Sequence, residues 1–177
     1  IAFVQDTPGY SERPLYVMNA DGSNLIHLAD LPTTPGRPTW SPDGAKLAFR
    51  VNLTYQLYIV NSDGSGLVAV EGVSGDDPSW SPDGQLIAFA GNGVNSRTDI
   101  FVVKPDGTGL TNLTMTPSAE GTPDWSPDGS RIVFSRFFSG GNIELYTMNQ
   151  SGGDHVRLTN TADSGQQEQE TGQTKDS

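Results

Sequence analysis

The sequence predicts an all-β fold, and three observations predict it. The pentapeptide Trp-Ser-Pro-Asp-Gly occurs at Trp40–Gly44, Trp80–Gly84 and Trp125–Gly129, with the tryptophans 40 and 45 residues apart. The apolar runs between these copies are short, rich in Val, Ile, Phe and Tyr, and bounded by Gly, Pro, Asp and Asn, which is strand chemistry. Leu57-Tyr58-Ile59-Val60 and Ile100-Phe101-Val102-Val103 are apolar on both alternate faces, so neither side of their sheets meets water. Small sheets buried on both faces and repeating every 40 to 45 residues are the signature of radially packed blades, a β-propeller.

Each unit repeats four pieces in order. A Pro-x-Trp segment, at Pro38, Pro78 and Pro123, runs into Ser-Pro-Asp-Gly. Next comes Leu47-Ala48-Phe49, Ile87-Ala88-Phe89 or Ile132-Val133-Phe134, with Ile1-Ala2-Phe3 as a fourth copy. The third piece ends in a turn, as in Leu15 to Gly22, Leu57 to Gly64, Ile100 to Gly107 and Leu145 to Gly152. A short closing strand follows, at Asn24 to Leu28, Leu67 to Val70, Leu110 to Leu113 and His155 to Leu158. The expectation is about four four-stranded antiparallel blades in residues 1–160, followed by a polar, disordered tail or linker over 161–177. No apolar spacing of three and four extends over ten residues, so no helix of consequence is expected.

The repeated residues read as structure. Ser-Pro-Asp-Gly is a turn in which Pro sets φ, and Asp43, Asp83 and Asp128 accept from nearby amides while Gly44, Gly84 and Gly129 close the turn. Trp40, Trp80 and Trp125 fill the wedge between blades. Asn19-Ala20-Asp21-Gly22 imitates a calcium loop, but Asp30 stands where a bidentate Glu is required, so it reads as a hairpin turn. His27 and His155 sit at different offsets in the closing strands and form no repeated ligand.

The order Pro-x-Trp-Ser-Pro-Asp-Gly, Ile-Ala-Phe, Asp-Ile-Phe-Val, Asp-Gly-Thr-Gly, Leu-Thr resembles the WD-like repeat of TolB-type β-propellers, most closely at Asp99 to Gly109 and Asn112 to Thr114. The resemblance implies a propeller of the periplasm or the cell exterior. It leaves function open, since similar blades also precede serine-peptidase domains. The first unit lacks its innermost strand and nothing after Leu158 supplies one, so the ring is expected to be incomplete, a fragment, or closed by a second copy of the chain as a homo-oligomer.

Composition narrows the partners. The formal charge is −11, about −8 of it in the repeating body, which repels nucleic acid and anionic membranes. No apolar run reaches the roughly 20 residues of a transmembrane helix, so no membrane insertion is expected. There is no cysteine, no Gly-x-Ser-x-Gly, no His-Glu-x-x-His and no phosphate loop, so neither catalysis nor a metal or cofactor is expected.

Recognition is expected where the copies disagree. The Pro-Asp-Gly and Asp-Gly turns share one face; the variable connections occupy the other. There Asp30, Arg37, Asp76, Asp77 and Glu120 fall just ahead of inner strands, as an acidic mouth for a basic or polar partner segment or a cation. Tyr10, Tyr55, Phe137 and Phe138 lie in the same connections as aromatic anchors. The expected function is noncatalytic binding of a protein or peptide, with the propeller of a hydrolase or lyase, or a structural repeat of a larger envelope protein, as alternatives.

Overall fold

The computed structural model describes residues 1–4, 13–31, 35–52, 54–93 and 97–161. The first blade contains β1 (Ala2–Val4), β2 (Arg13–Val17) and β3 (Ile26–Leu31). The second contains β4 (Thr39–Trp40), β5 (Lys46–Val51), β6 (Gln56–Asn61) and the first half of β7 (Val68–Trp80). The second half of β7 opens the third blade, which continues through β8 (Ile87–Asn92), β9 (Thr98–Val103) and β10 (Thr111–Asn112). The fourth comprises β11 (Ala119–Trp125), β12 (Arg131–Phe137), β13 (Ile143–Asn149) and β14 (Val156–Arg157). Among the described residues all pairings are antiparallel between sequence neighbours, and the first and last sheets do not pair with each other.

Two expected connections prove to be strand. Glu71 to Asp77, expected as a variable connection between the second and third blades, is continuous β7. It pairs with β6 through Ser74 and with β8 from Gly75 onward. Gly75 is required there because a Cβ would lie 2.2 Å from the Phe89 ring. Ser135 to Phe137, placed in a loop, extends β12, with Phe137 opposite Ile143. Thr161, assigned to the tail, donates its N–H to Glu144 Oε1 at 2.8 Å, and residues 162–177 lie outside the described residues.

Alternation along each strand divides every blade into a face toward the previous blade, here the trailing face, and one toward the next, the leading face. Three seams result. Leu15, Val17 and Leu28 meet Leu47, Phe49 and Val60; Ala48, Leu57, Ile59 and Val70 meet Trp80, Ile87, Phe89 and Val103. Ala88, Ile100, Val102 and Leu113 meet Trp125, Ile132, Phe134 and Met148. Each trailing face stacks a Phe on a cross-strand aromatic: Phe49 on Tyr58, Phe89 on Phe101 and Phe134 on Tyr146. Burying one such Phe contributes about 1.5–3 kcal/mol.

Both turn families belong to the seams as well as to their own hairpins. In Ser-Pro-Asp-Gly the Gly44 N–H donates to the Ser41 carbonyl at 2.8 Å, and Gly44 takes φ +69°, which L side chains disfavour. Ser41 Oγ and the Ala45 N–H donate to Asp43 Oδ1 at 2.6 and 3.0 Å, as predicted. Asp83 and Asp128 repeat this, and the serine hydroxyls and amides hold all three carboxyls below the usual range, Asp128 at about 2. The glycine of the Asp-Gly turn, Ser-Gly in the fourth blade, presses on the previous blade's outer strand: a Cβ on Gly64 would lie 3.0 Å from the His27 carbonyl oxygen, and one on Gly152 2.5 Å from that of Leu113. Gly22, the first-blade equivalent, has open space.

That difference separates seam from turn. Gly22→Ala meets only the left-handed backbone, φ +84°, and should lose about 1–2 kcal/mol in urea unfolding. Gly152→Ala has the same strain, φ +83°, plus overpacking, and should lose about 1–3 kcal/mol more.

Buried Glu144 accepts from the Thr159 and Thr161 hydroxyls and pairs with Arg157 at 3.0 Å, holding its carboxyl at about 2 against an ordinary 4.5. A depressed carboxyl stabilises above its unfolded value, and that contribution is lost as pH falls through the folded one. Thermal melts should therefore fall between about pH 4.5 and 2, and Glu144→Gln should flatten that slope.

Candidate functional site

The inner strands carry the same three-residue pattern from three blades: Arg37-Pro38-Thr39, Asp77-Pro78-Ser79 and Thr122-Pro123-Asp124. These nine residues line one cavity of about 340 Å³ at the centre of the blade array. Pro78 and Pro123 are buried and Pro38 is half-buried. The residues on either side of each proline form two tiers on the wall. Arg37, Asp77 and Thr122 make the outer tier, toward the variable connections, and Thr39, Ser79 and Asp124 make the inner one.

Register shifts between Asp76 and Ser79 and between Gly121 and Asp124 mark a β-bulge in each of two inner strands. Asp77 and Thr122 take φ +51° and +49° there, unusual for residues with a Cβ. The proline that follows has no N–H, so the break in pairing leaves no orphan donor at that position. A bulge turns the preceding side chain toward the cavity at the cost of local strain.

Charge on this wall is mixed. Burial raises the Asp77 carboxyl above the ordinary 3.8 and the Asp76 carboxylate adds to that, while Arg50 and Arg37 partly offset both. Asp124 accepts from Ser79 Oγ at 2.8 Å and from the Trp125 N–H at 3.0 Å, both through Oδ1. Ser79 and Asp124 thereby tie the third blade to the fourth across the wall.

The expected site residues separate. Arg37 and Asp77 line the cavity, as the sequence reading requires of a channel mouth. Asp76 stands beside it but is engaged: it accepts the Asp77 N–H at 2.8 Å, and its Oδ1 lies 2.8 Å from Arg50 Nε. The Nε–H is not aimed at that oxygen, so this is an ion pair without a directed hydrogen bond. Asp30 sits on β3, the outermost strand of its blade, 2.8 Å from His27 Nε2 and away from the cavity. Glu120 is fully buried, not exposed at a mouth: it accepts from Arg136 Nε at 3.0 Å and from the Thr114 and Thr116 hydroxyls.

The aromatic candidates also divide. Tyr55 is exposed at φ +54° with the Arg50 guanidinium 5.0 Å from its ring centre, and it borders a second cavity of about 320 Å³ with Asp76, Asn92 and Thr98. Phe137 lies within β12 on the leading face of the fourth blade, outside the loops. Phe138 follows on the other side, 6.5 Å from Tyr146 and under Arg157 at 5.9 Å. Both rings are part-exposed to a similar degree. Tyr10 lies outside the described residues.

Sequence reasoning missed Thr39, Ser79, Thr122 and Asp124. The signal was present: Thr39, Ser79 and Asp124 are the variable x of Pro-x-Trp, the position that packing leaves free. Trp80 and Trp125 are buried in the seams and Trp40 packs at the edge of the first, as expected of wedge residues. Two larger cavities, about 480 and 430 Å³, open on the turn face between neighbouring Ser-Pro-Asp-Gly turns. Their carboxylates, from Asp43, Asp83 and Asp128, are already engaged within their own turns. Among the described residues no three His, Cys, Asp or Glu side chains converge as metal ligands, and no helix is long and apolar enough to cross a membrane. The arrangement is equipped to bind through hydrogen bonds and charge.

Known proteins agree with the blade geometry. The chain superposes on TolB from Acinetobacter baumannii with a TM-score of 0.71 and 22% identity, covering 92% of this chain and 42% of that one. It superposes on a putative TolB from Agrobacterium tumefaciens with a TM-score of 0.74 and 21% identity, covering 89% of this chain and 60% of that one. An uncharacterized peptidase, YuxL of Bacillus subtilis (strain 168), is 36% identical over 53 residues, 30% of this chain and 8% of that protein. The chain thus spans less than two thirds of each. The model of the TolB beta propeller domain family matches residues 1–176, and the chain belongs to that family.

Proposed function

We propose that this chain is a noncatalytic interaction module that takes a basic or polar segment of a partner protein at the variable-loop mouth of its central cavity. The observation that carries this reading is the two-tiered wall of Arg37, Asp77, Thr122 and Thr39, Ser79, Asp124, in which bulges set Asp77 and Thr122 toward the opening. Asp77 and Asp124 offer carboxylates to an ammonium or guanidinium group, and the hydroxyls of Thr39, Ser79 and Thr122 suit a polar backbone. The net charge of −11 favours approach of a basic partner. Membership of the TolB family supports a periplasmic location.

A competing reading, the propeller of a hydrolase, draws on the short similarity to the Bacillus peptidase. It requires catalytic groups beyond those gathered at this cavity. Loss of peptidase activity on substitution of Asp77 in a longer protein that carries both this propeller and a hydrolase domain would favour it.

The binding reading is tested with a short fluorescein-labelled peptide of Lys and Ser. Asp77→Asn combined with Asp124→Asn should weaken binding about tenfold or more, and added salt should reduce the difference. Asp30→Asn, on the outer rim, should leave affinity unchanged. Equal losses in the two variants would reduce the effect to general charge and sink the site.

Asp77→Asn should also raise the thermal midpoint at neutral pH, on the order of a degree or two. The raised carboxyl makes the ionised form unfavourable in the folded chain, so removing its charge helps above the ordinary value of 3.8 and gives nothing well below it.

A further inference from the structure

The trailing faces of the second, third and fourth blades carry the same cross-strand row near the variable connections, filled with different chemistry. In the fourth blade the row is charged throughout. Glu120 stands opposite Arg136 and Arg136 opposite Glu144, with Arg157 on β14 diagonal to Glu144. Arg136 pairs with Glu120 and Arg157 with Glu144, each at 3.0 Å. The Arg136 guanidinium also lies 4.4 Å from the ring centre of Tyr146 and 5.6 Å from that of Phe134, over their stack. In the second blade the row is Pro35, Val51, Gln56 and Ala69, and it carries no charge.

The third blade keeps one charged member of four. Its row is Gly75, Gly91, Asp99 and Asn112, so both arginine positions are neutral while the acid remains. Asp99 is 0% exposed. Asn112 Nδ2 donates to its Oδ2 at 2.6 Å, whereas its buried Oδ1 has no hydrogen-bond partner among the described residues. No ion pair among the described residues reaches it, and Arg97, two positions earlier, is exposed. A buried carboxylate oxygen without a donor is rare in a native fold. The missing side chains also leave room. Where the fourth blade has Arg136, Gly91 borders a cavity of about 110 Å³ against the stacked rings of Phe89 and Phe101, with Ser74, Asn92 and Leu110 on its wall. Ser74, Gly91 and Asn92 border the cavity of about 320 Å³ beside Tyr55 as well.

We propose that this slot takes an arginine side chain of a partner peptide, its guanidinium lying on Phe89 and Phe101 as Arg136 lies on Phe134 and Tyr146, and donating to Asp99. The peptide backbone crosses the adjoining cavity beside Tyr55. A guanidinium fits because it is planar, stacks on aromatic faces and brings several donors to one carboxylate, which an ammonium does less well. Burial of the acid is no bar, since Glu120 is equally 0% exposed and receives Arg136. The net charge of −11 favours approach of the cation. The slot stands apart from the reading of the central cavity, because no residue lining these two cavities lines that one.

The test is an amide NMR titration of the 18.9 kDa chain with a short Gly-Ser peptide bearing one arginine, and with the same peptide bearing citrulline, which has the shape without the charge. The arginine peptide should shift the Gly91 and Phe101 backbone amides and the Asn112 side-chain amide, and bind there about tenfold or more tighter than the citrulline peptide. Asp99→Asn should bring the arginine peptide down to the citrulline level. Gly91→Ala, whose Cβ would lie 2.9 Å from the Phe89 ring, should weaken it by narrowing the slot. Asp77→Asn combined with Asp124→Asn should leave the Gly91 and Asn112 shifts in place. Arginine and citrulline peptides that act alike at Gly91 and Asn112 overturn the proposal, and that comparison needs no variant to fold. Arginine-induced shifts there that survive Asp99→Asn overturn it too. Shifts confined to Thr39, Ser79 and Thr122 refute this slot and leave the central cavity standing.

Discussion

The fold depends on face-to-face packing between successive blades. No blade can bury its own surface: a four-stranded sheet a few residues long has two faces and almost no interior. The solution is asymmetric. Small or branched residues, Ala48, Ala88, Ile100 and Val102 among them, make each leading face, and a Phe with a cross-strand aromatic makes each trailing face. Stability accumulates seam by seam, as in other repeat architectures, with little contribution from within an isolated unit.

The seam also explains why the turns are so nearly identical. Asp43, Asp83 and Asp128 satisfy amides and hydroxyls inside their own hairpins. The glycines that follow have a second duty, since a Cβ at Gly84 or Gly129 would contact the proline of the preceding turn. Residues engaged in both hairpin and seam are poorly placed to recognise anything else. The inner strand has the opposite economy. Its proline and tryptophan are consumed by packing, while the residues flanking the proline face the cavity and are free to differ: Arg37, Asp77 and Thr122 in one tier, Thr39, Ser79 and Asp124 in the other.

Much of this was legible in the chain. The strand order, the blades, the wedge tryptophans and the carboxylate-capped turns follow from spacing and local chemistry. The site was only half legible. Arg37 and Asp77 precede an inner strand in sequence and do line the cavity. Asp30 and Glu120 meet the same rule and do not, because a residue's distance from the channel depends on which strand it ends and on what lies across the seam. Glu120 looked exposed beside Gly121 and Thr122; its partner Arg136 is sixteen residues away on the neighbouring strand. Phe137 was expected in the connection after the second strand of its blade, yet pairing with Ile143 extends β12 through it.

The sequence by itself determined the repeat, the strand chemistry of each unit and the function of Trp-Ser-Pro-Asp-Gly as punctuation, because those depend on residues within a few positions of one another. Only the tertiary structure decided which acidic residues reach the cavity, which are buried in ion pairs, and which residues of one blade meet those of the next. Those outcomes depend on contacts between strands of different blades, and the distance between blades is not written in the spacing along the chain.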